Sequence, residues 1–141
     1  MHDTIRLRRF NLNTQGRDFA VGDIHGCFSK LDTALRKVRF SAERDRLFAV
    51  GDLVDRGPES AQVLEWLAKP WFHSVCGNHD LMTWRRASGD PLPDIDHAAH
   101  GGEWLDSLDE LTHQRIAQSL RELPLAIEVD GNPPIFSDSQ K

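Results

Sequence analysis

Three short apolar segments, each followed by glycine and a polar residue, constrain the fold of this 141-residue chain most strongly. They are FAV (19–21), LFAV (47–50) and the weaker WFHSVC (71–76). Short apolar runs that end at glycine are typical of strands covered on both faces. The polar residues that follow them, Asp23, Asp52 and Asn78, are separated by 29 and 26 residues, a natural spacing for strand–helix units. The chain therefore predicts βαβ units around a parallel sheet.

Amphipathic segments alternate with these runs and predict four helices, approximately at 28–40, 59–69, 79–89 and 107–123. The second follows Pro58, a residue that suits the first turn of a helix. The fourth is expected to open with a capping box formed by Ser107 and Glu110. A Pro/Gly-rich loop (89–102) precedes it, and PLAIEVDG (124–131) predicts a further strand.

Net charge and hydropathy indicate which classes of binding partner this chain is expected to lack. The net charge of −5, from 17 Lys+Arg against 22 Asp+Glu, offers no electrostatic basis for binding nucleic acid. No window approaches the roughly 18 apolar residues of a membrane span, and the first residues lack the apolar core of a signal peptide. We therefore expect neither a nucleic-acid nor a membrane partner. Cys27 and Cys76 are interpreted as reduced thiols of a cytoplasmic protein, and the oligomeric state stays open.

Residues of metal-binding type follow each predicted strand. They are Asp23 and His25, then Asp52, then Asn78 and His79. Ligands of open α/β sheets gather beyond the carboxyl ends of the strands, so these side chains are expected along one edge. Carboxylate, imidazole and amide oxygen together suit Mn²⁺, Fe or Zn²⁺ better than calcium. Turn and cap chemistry is the competing interpretation, but it does not require all five residues together.

The motifs GDIHG (22–26), GDLVDRGP (51–58) and GNHD (77–80) resemble the three signature blocks of the calcineurin-like metallophosphoesterases. Together with HGGEWL (100–105), they are most similar to the small bacterial and phage-lambda-type serine/threonine phosphoprotein phosphatases. The resemblance covers roughly residues 17–130. It implies an α/β/β/α sandwich, of which this chain would carry mainly the N-terminal βαβαβ half.

The resemblance also implies a site for two divalent metal ions, with Mn²⁺ expected and Fe or Zn²⁺ as alternatives. Asp23 and His25 would hold the first ion, and Asn78 would hold the second. Asp52 would bridge the two, as one carboxylate does in two-metal sites whose ions lie about 3.5–4 Å apart.

Catalytic roles are implied for three more residues. His79 would protonate the leaving group, Asp55 would orient its ring, and Arg56 would clamp phosphate oxygens with its planar fork. The implied reaction is hydrolysis of a phosphomonoester by metal-activated water. The implied partner is a phosphoprotein or another phosphoester substrate.

The C-terminal part departs from the family pattern. The family completes its site with two further histidines and usually a second arginine, whereas this chain continues as NPPIFSDSQK (132–141). We expect a solvated arm at 1–16, an incomplete phosphoesterase domain at 17–131, and an atypical tail at 132–141 left by truncation or a frameshift. The second sheet would be largely absent, and the chain would hold two metal ions, one or none.

Several residues outside the three signature blocks are given structural interpretations. His97 and His100 lie in the Pro/Gly-rich loop, where they are expected to be solvated rather than to replace the missing ligands. Arg85 and Arg86 are expected on a solvated helix face. Trp104 is interpreted as core or rim packing.

Three functions stay open. The first is a serine/threonine protein phosphatase. The second is a symmetrical dinucleoside polyphosphate hydrolase, which Asp80 favours because the phosphatase branch usually has Glu there, and which Asp55 disfavours. The third is a catalytically impaired remnant that binds metal or a partner.

Overall fold

The computed structural model describes residues 6–137, which form two three-stranded sheets and four α-helices. The strands are β1 (Leu7–Phe10), β2 (Asp18–Val21), β3 (Arg46–Ala49), β4 (Phe72–Ser74), β5 (Ala126–Val129) and β6 (Ile135–Phe136). The helices are α1 (Phe28–Lys37), α2 (Val63–Leu67), α3 (Asn78–Ala87) and α4 (Glu110–Arg121). Among these described residues, no helix is both long enough and apolar enough to cross a bilayer.

The first sheet is the one that the apolar runs predict. Its order is β2-β3-β4, and both pairings are parallel, with Phe48 of β3 opposite Ala20 on one side and His73 on the other. Helix α1 crosses from β2 to β3, and the segment containing α2 crosses from β3 to β4. Because all three strands run in the same direction, their carboxyl ends meet at a single edge.

Helix boundaries differ from the expectation at two places. The second predicted helix begins as a 3₁₀ turn (Ser60–Gln62) and continues as the short α2. The fourth does not use the predicted Ser107–Glu110 box, because its cap is Asp109, whose side chain accepts a hydrogen bond of 2.8 Å from the N–H of Thr112. Ser107 instead ends a preceding 3₁₀ turn.

The second sheet contains residues from both the predicted arm and the predicted tail. Strand β1 pairs in parallel with β5, with Leu7 opposite Ala126, and β6 pairs antiparallel with β5, with Ile135 opposite Ile127. Both edges of β5 would otherwise present unpaired backbone groups. Parts of the predicted arm and tail are therefore strands, while residues 1–5 and 138–141 lie outside the described residues.

Two apolar clusters hold these layers together. The larger joins the four helices to one face of the first sheet, through residues such as Leu47, which is buried. The smaller lies between the two sheets and contains Phe48, Val75, Ile127 and Val129. Successive residues of a strand point to opposite faces, so Leu47 packs on the helices and Phe48 packs on the second sheet. The layers are thus helices, sheet and sheet.

Candidate metal centre and catalytic pair

The predicted site residues converge at the carboxyl edge of the first sheet. A cavity of about 410 Å³ opens there. Its lining includes six of the seven predicted residues: Asp23, His25, Asp52, Arg56, Asn78 and His79. The seventh, Asp55, lies buried directly behind His79. The ends of three parallel strands, joined by two crossover connections, therefore bring the predicted set to one place.

Asp23, His25 and Asp52 form a compact group of ligand atoms. One carboxylate oxygen or imidazole nitrogen from each lies within 4.8 Å of the others. The Nδ1 atom of His25 is 3.0 Å from the carbonyl oxygen of Val54, and its Nε2 atom is 3.8 Å from Oδ2 of Asp23. A carbonyl only accepts hydrogen bonds, so Nδ1 carries a proton, and Nε2 is the nitrogen that faces the two carboxylates. A histidine that binds a metal ion is held in this way.

The backbone at this group adopts uncommon conformations. His25 and Asp52 have φ values of 44° and 53°, in the left-handed region that residues other than glycine rarely occupy. The N–H groups of Ile24 and His25 both donate to the carbonyl oxygen of Asp52, at 3.1 and 2.9 Å, and so tie the two turns together. Strained backbone that the surrounding structure maintains is concentrated at functional sites.

Glycine is required where the third motif approaches the second. A Cβ atom at Gly77 would lie 2.5 Å from both the backbone nitrogen and Oδ1 of Asp52. Asp80 then joins the turns, because its buried carboxyl accepts from the N–H groups of Gly77, Asp52 and Leu53 at 2.8–2.9 Å. Burial raises the pKa of Asp80 to about 7, although these hydrogen bonds act in the opposite direction. Asp80 therefore holds the backbone of these two turns together.

His79 and Asp55 form a hydrogen-bonded pair beside the ligand group. Nδ1 of His79 lies 2.9 Å from Oδ2 of Asp55, and the backbone N–H of His79 donates to Oδ1 of Asp52 at 2.9 Å. The imidazole packs edge-on against that of His25, with ring centroids 4.9 Å apart. Since Nδ1 is engaged by the carboxylate, Nε2 is the nitrogen of His79 available to a group in the cavity.

Asp55 is fully buried and accepts hydrogen bonds from four side chains. Besides His79, they are His97 to Oδ2 at 2.8 Å, Trp104 to Oδ1 at 2.7 Å and Thr83 to Oδ1 at 3.2 Å. Burial acts to raise the pKa of the Asp55 carboxyl, but the hydrogen bonds outweigh it, with that from His97 the largest, and the pKa is lowered. Asp55 therefore remains a carboxylate at neutral pH.

Two expectations about surface residues are wrong, those for His97 and Arg86. His97 is 4% exposed and its imidazole contacts Asp55. Trp104 packs against the main apolar cluster, as expected, and in addition donates to Asp55. Arg86 is half-buried, and its guanidinium contacts His97, Gly102 and Asp106. The HGGEWL stretch was the one sequence signal near this network, and it includes Trp104 but not His97.

The loop that carries His97 also supports Arg56. Arg56 is exposed in the cavity with a φ of 73°, and its N–H donates to the carbonyl oxygen of Gly101 at 2.8 Å. A Cβ atom at Gly101, where φ is 95°, would lie 2.5 Å from Cγ of Arg56. His100 is exposed, as expected, and lines the same cavity. Among the described residues, neither His97 nor His100 belongs to the group formed by Asp23, His25 and Asp52.

Residues of metal-ligand types at the carboxyl ends of three parallel strands, on a fold of helices, sheet and sheet, are characteristic of the metallophosphoesterase class. Residues 19–138 match the calcineurin-like phosphoesterase family, and the chain belongs to this family. The family resemblance and the fold class predicted from the motifs are therefore confirmed. Members of the family use divalent metal ions, and the Asp/His group supplies ligands of the corresponding types.

Relatives of two activities are similar to this chain. It is 37% identical over 134 residues to serine/threonine-protein phosphatase 2 of Salmonella typhimurium, covering 91% of this chain and 59% of the relative. It is 35% identical over 125 residues to a symmetrical bis(5'-nucleosyl)-tetraphosphatase of Shewanella baltica, covering 84% of this chain and 46% of the relative. A solved structure of a proposed diadenosine tetraphosphatase superposes with a TM-score of 0.68 at 31% identity, covering 89% of this chain and 50% of that one. The chain thus spans between about half and three fifths of the length of these relatives.

Proposed function

We propose that this chain is a metal-dependent phosphoesterase that hydrolyses phosphomonoesters of serine and threonine in proteins. The observation that carries the proposal is one cavity lined by a carboxylate–imidazole ligand group, a histidine–aspartate pair and an exposed arginine. The 37% identity to a serine/threonine-protein phosphatase supports the choice of substrate class.

The ligand group fits divalent cations. In this proposal Asp23 and His25 would hold one ion, Asn78 would hold a second, and Asp52 would be a ligand of both. The Nδ1–H of His25 donates to the carbonyl oxygen of Val54, so Nε2 is the nitrogen available to the first ion. Such cations, with Mn²⁺ proposed ahead of Fe and Zn²⁺, supply positive charge for the phosphoryl oxygens and lower the pKa of water towards 7.

The remaining side chains have distinct tasks. The Arg56 guanidinium binds phosphoryl oxygens through two parallel N–H donors. During hydrolysis the ester P–O bond breaks as water oxygen bonds to phosphorus, and the leaving oxygen takes the proton from Nε2 of His79. Asp55 accepts from Nδ1 of the same ring, so its negative charge stabilises the imidazolium before that proton leaves.

A second candidate is hydrolysis of dinucleoside polyphosphates, favoured by the 35% identity to a symmetrical tetraphosphatase. The side chains of Met82, Leu92 and Ile95 line the same cavity and offer an apolar surface for a nucleobase. A third candidate is a protein that binds metal without turnover, since the compact ligand group found among the described residues has three members, Asp23, His25 and Asp52. A cytoplasmic location is also part of the proposal, supported by the thiol state of Cys27 and Cys76.

Metal uptake and rates on two substrates test these candidates. The chain is titrated with Mn²⁺ by calorimetry, and initial rates are then measured on a phosphoserine peptide and on diadenosine tetraphosphate. We expect Mn²⁺ binding and faster hydrolysis of the peptide. Faster hydrolysis of the dinucleotide would favour the second candidate, and metal binding with no hydrolysis would favour the third. No uptake of Mn²⁺ would contradict all three.

A further inference from the structure

His97 connects helix α3 to the hydrogen-bonded pair formed by His79 and Asp55. Its Nε2 atom lies 2.8 Å from Oδ2 of Asp55 and 3.0 Å from Oγ1 of Thr83, and its Nδ1 atom lies 3.1 Å from Nη1 of Arg86. The side chain is 3% exposed, so water does not compete for these bonds. The same Oδ2 atom of Asp55 accepts from Nδ1 of His79. Two imidazoles therefore share one carboxylate oxygen.

Arg86 determines which nitrogen of His97 carries the proton. A guanidinium only donates, so Nδ1 of His97 must accept and the proton lies on Nε2. Nε2–H then points at Asp55. Arg86 is itself held by the carbonyl oxygen of Gly102, at 3.2 Å, and by an ion pair with Asp106. The orientation of the His97 ring is thus set from both of its edges.

Gly102 makes room for this ring. A Cβ atom at that position would lie 2.2–2.4 Å from Cε1, Nε2 and Nδ1 of His97. The ring cannot retreat without breaking its bonds to Asp55 and Arg86. An alanine at position 102 would therefore displace the imidazole while leaving its chemistry intact.

We propose that His97 is a positioning residue, which fixes the Asp55 carboxylate through Nε2–H and thereby holds the ring of His79 towards the cavity. Without His97, Oδ2 of Asp55 would accept from one imidazole, that of His79, instead of two. The carboxylate could then rotate about its bonds to Trp104 and Thr83. The bond from Asp55 to Nδ1 of His79 would lengthen, and His79 would lose its fixed orientation. This inference rests on the proposed role of His79 in phosphoester hydrolysis.

Nitrogen-15 NMR of the histidine side chains tests the placement on the metal-free full chain. In the wild type we expect the Nε2–H tautomer for His97 and a slowly exchanging Nδ1–H for His79. H97L removes the donor, and we expect exchange of the His79 Nδ1 proton to become at least about tenfold faster, the scale of effects seen for residues that orient a ligand. H97Q keeps an amide N–H near the position of Nε2 and should restore most of the protection.

The control is H113Q, because Nε2 of His113 lies 2.6 Å from the carbonyl oxygen of Leu105 and the side chain has no contact with Asp55 among its described hydrogen bonds. H113Q should leave the His79 signal unchanged. G102A should reproduce the effect of H97L with the histidine still present, so the test does not depend on H97L folding. Unchanged exchange of the His79 proton in both H97L and G102A would overturn the inference.

Rates with Mn²⁺ on a phosphoserine peptide complete the test. We expect H97L and G102A to lower kcat by about 10–100-fold with little change in KM, and H97Q to recover at least a third of the wild-type kcat. Equal kcat values for H97L and the wild type would contradict a positioning role in the reaction. An inactive wild type would count against the proposed function, while the exchange of the His79 proton would still decide whether His97 positions it.

Discussion

The backbone N–H of His79 donates to Oδ1 of Asp52 across 2.9 Å, so the proposed bridging ligand also anchors the start of the helix that carries the proposed acid. Asp52 follows β3 and His79 follows β4, and the parallel pairing of these strands brings them together. The proposed metal site and the proposed acid therefore share one carboxylate. Replacement of Asp52 should therefore affect metal binding first, and replacement of His79 should affect hydrolysis first.

Replacement of Asp52 should weaken metal binding with little effect on folding. In D52N the amide oxygen can still accept from the N–H of His79, but the ligand group loses a negative charge. We expect Mn²⁺ affinity measured by calorimetry to fall at least about tenfold. D32N is the control, because Asp32 is an exposed carboxylate on helix α1 whose ion pair among the described residues is with Arg36. Equal losses of affinity in D52N and D32N would contradict the assignment of the metal centre.

Replacement of His79 should slow hydrolysis while leaving metal binding intact. H79N removes the proposed proton donor, and loss of general acid catalysis lowers kcat by roughly 10²–10⁴-fold. Rates on phosphoserine peptide and Mn²⁺ calorimetry of the same preparation separate the two effects. If kcat stayed within twofold of the wild type, His79 would not be the acid. A parallel loss of Mn²⁺ affinity would instead make it a ligand.

The cluster between the two sheets should carry much of the stability. Phe48 is 3% exposed and packs against Ile127 and Val129, so F48A leaves a large cavity, and we expect a loss of about 3–5 kcal/mol in the free energy of unfolding. F136A is the matched control, because Phe136 is 60% exposed on β6 and its truncation should change that free energy by less than about 0.5 kcal/mol. Urea denaturation followed by circular dichroism measures both. Similar losses in the two variants would show that the second sheet does not pack as described.

Asp45 should make the stability of the chain depend on pH in the acid range. Its carboxylate accepts from the N–H groups of Arg17 and Ser41 at 2.7 and 2.8 Å, and these bonds lower the pKa of Asp45 below its ordinary value of 3.8. A lowered pKa in the folded state adds stability above the unfolded pKa, and this is lost as the pH falls through the folded value.

The urea midpoint of D45N should therefore lie below that of the wild type at pH 7, and the gap should narrow as the pH falls below about 4. D130N offers a comparison, since Asp130 is exposed. A gap that is the same at pH 7 and pH 3 would argue against the carboxylate of Asp45 as its source.

Local sequence determined the first sheet and most of the site. An apolar run predicts a strand, the glycine after it predicts a sharp turn, and the next polar residue supplies a side chain at the end of the strand. Each of these features is encoded by residues that are adjacent in the sequence. The repetition of this unit at Asp23, Asp52 and Asn78 was therefore sufficient to predict parallel strands with their ligands at one edge.

Tertiary structure alone decided the second sheet and the support of Asp55. Strand β1 pairs with β5, more than a hundred residues away, because β5 has edges to satisfy, and nothing in LRRF (7–10) specifies that partner. His97 is likewise buried by a carboxylate 42 residues earlier in the chain. In a Pro/Gly-rich loop it has the sequence context of a surface residue. His97 is buried because it donates a hydrogen bond to the buried carboxylate of Asp55. That carboxylate needs such donors only once folding has removed it from water.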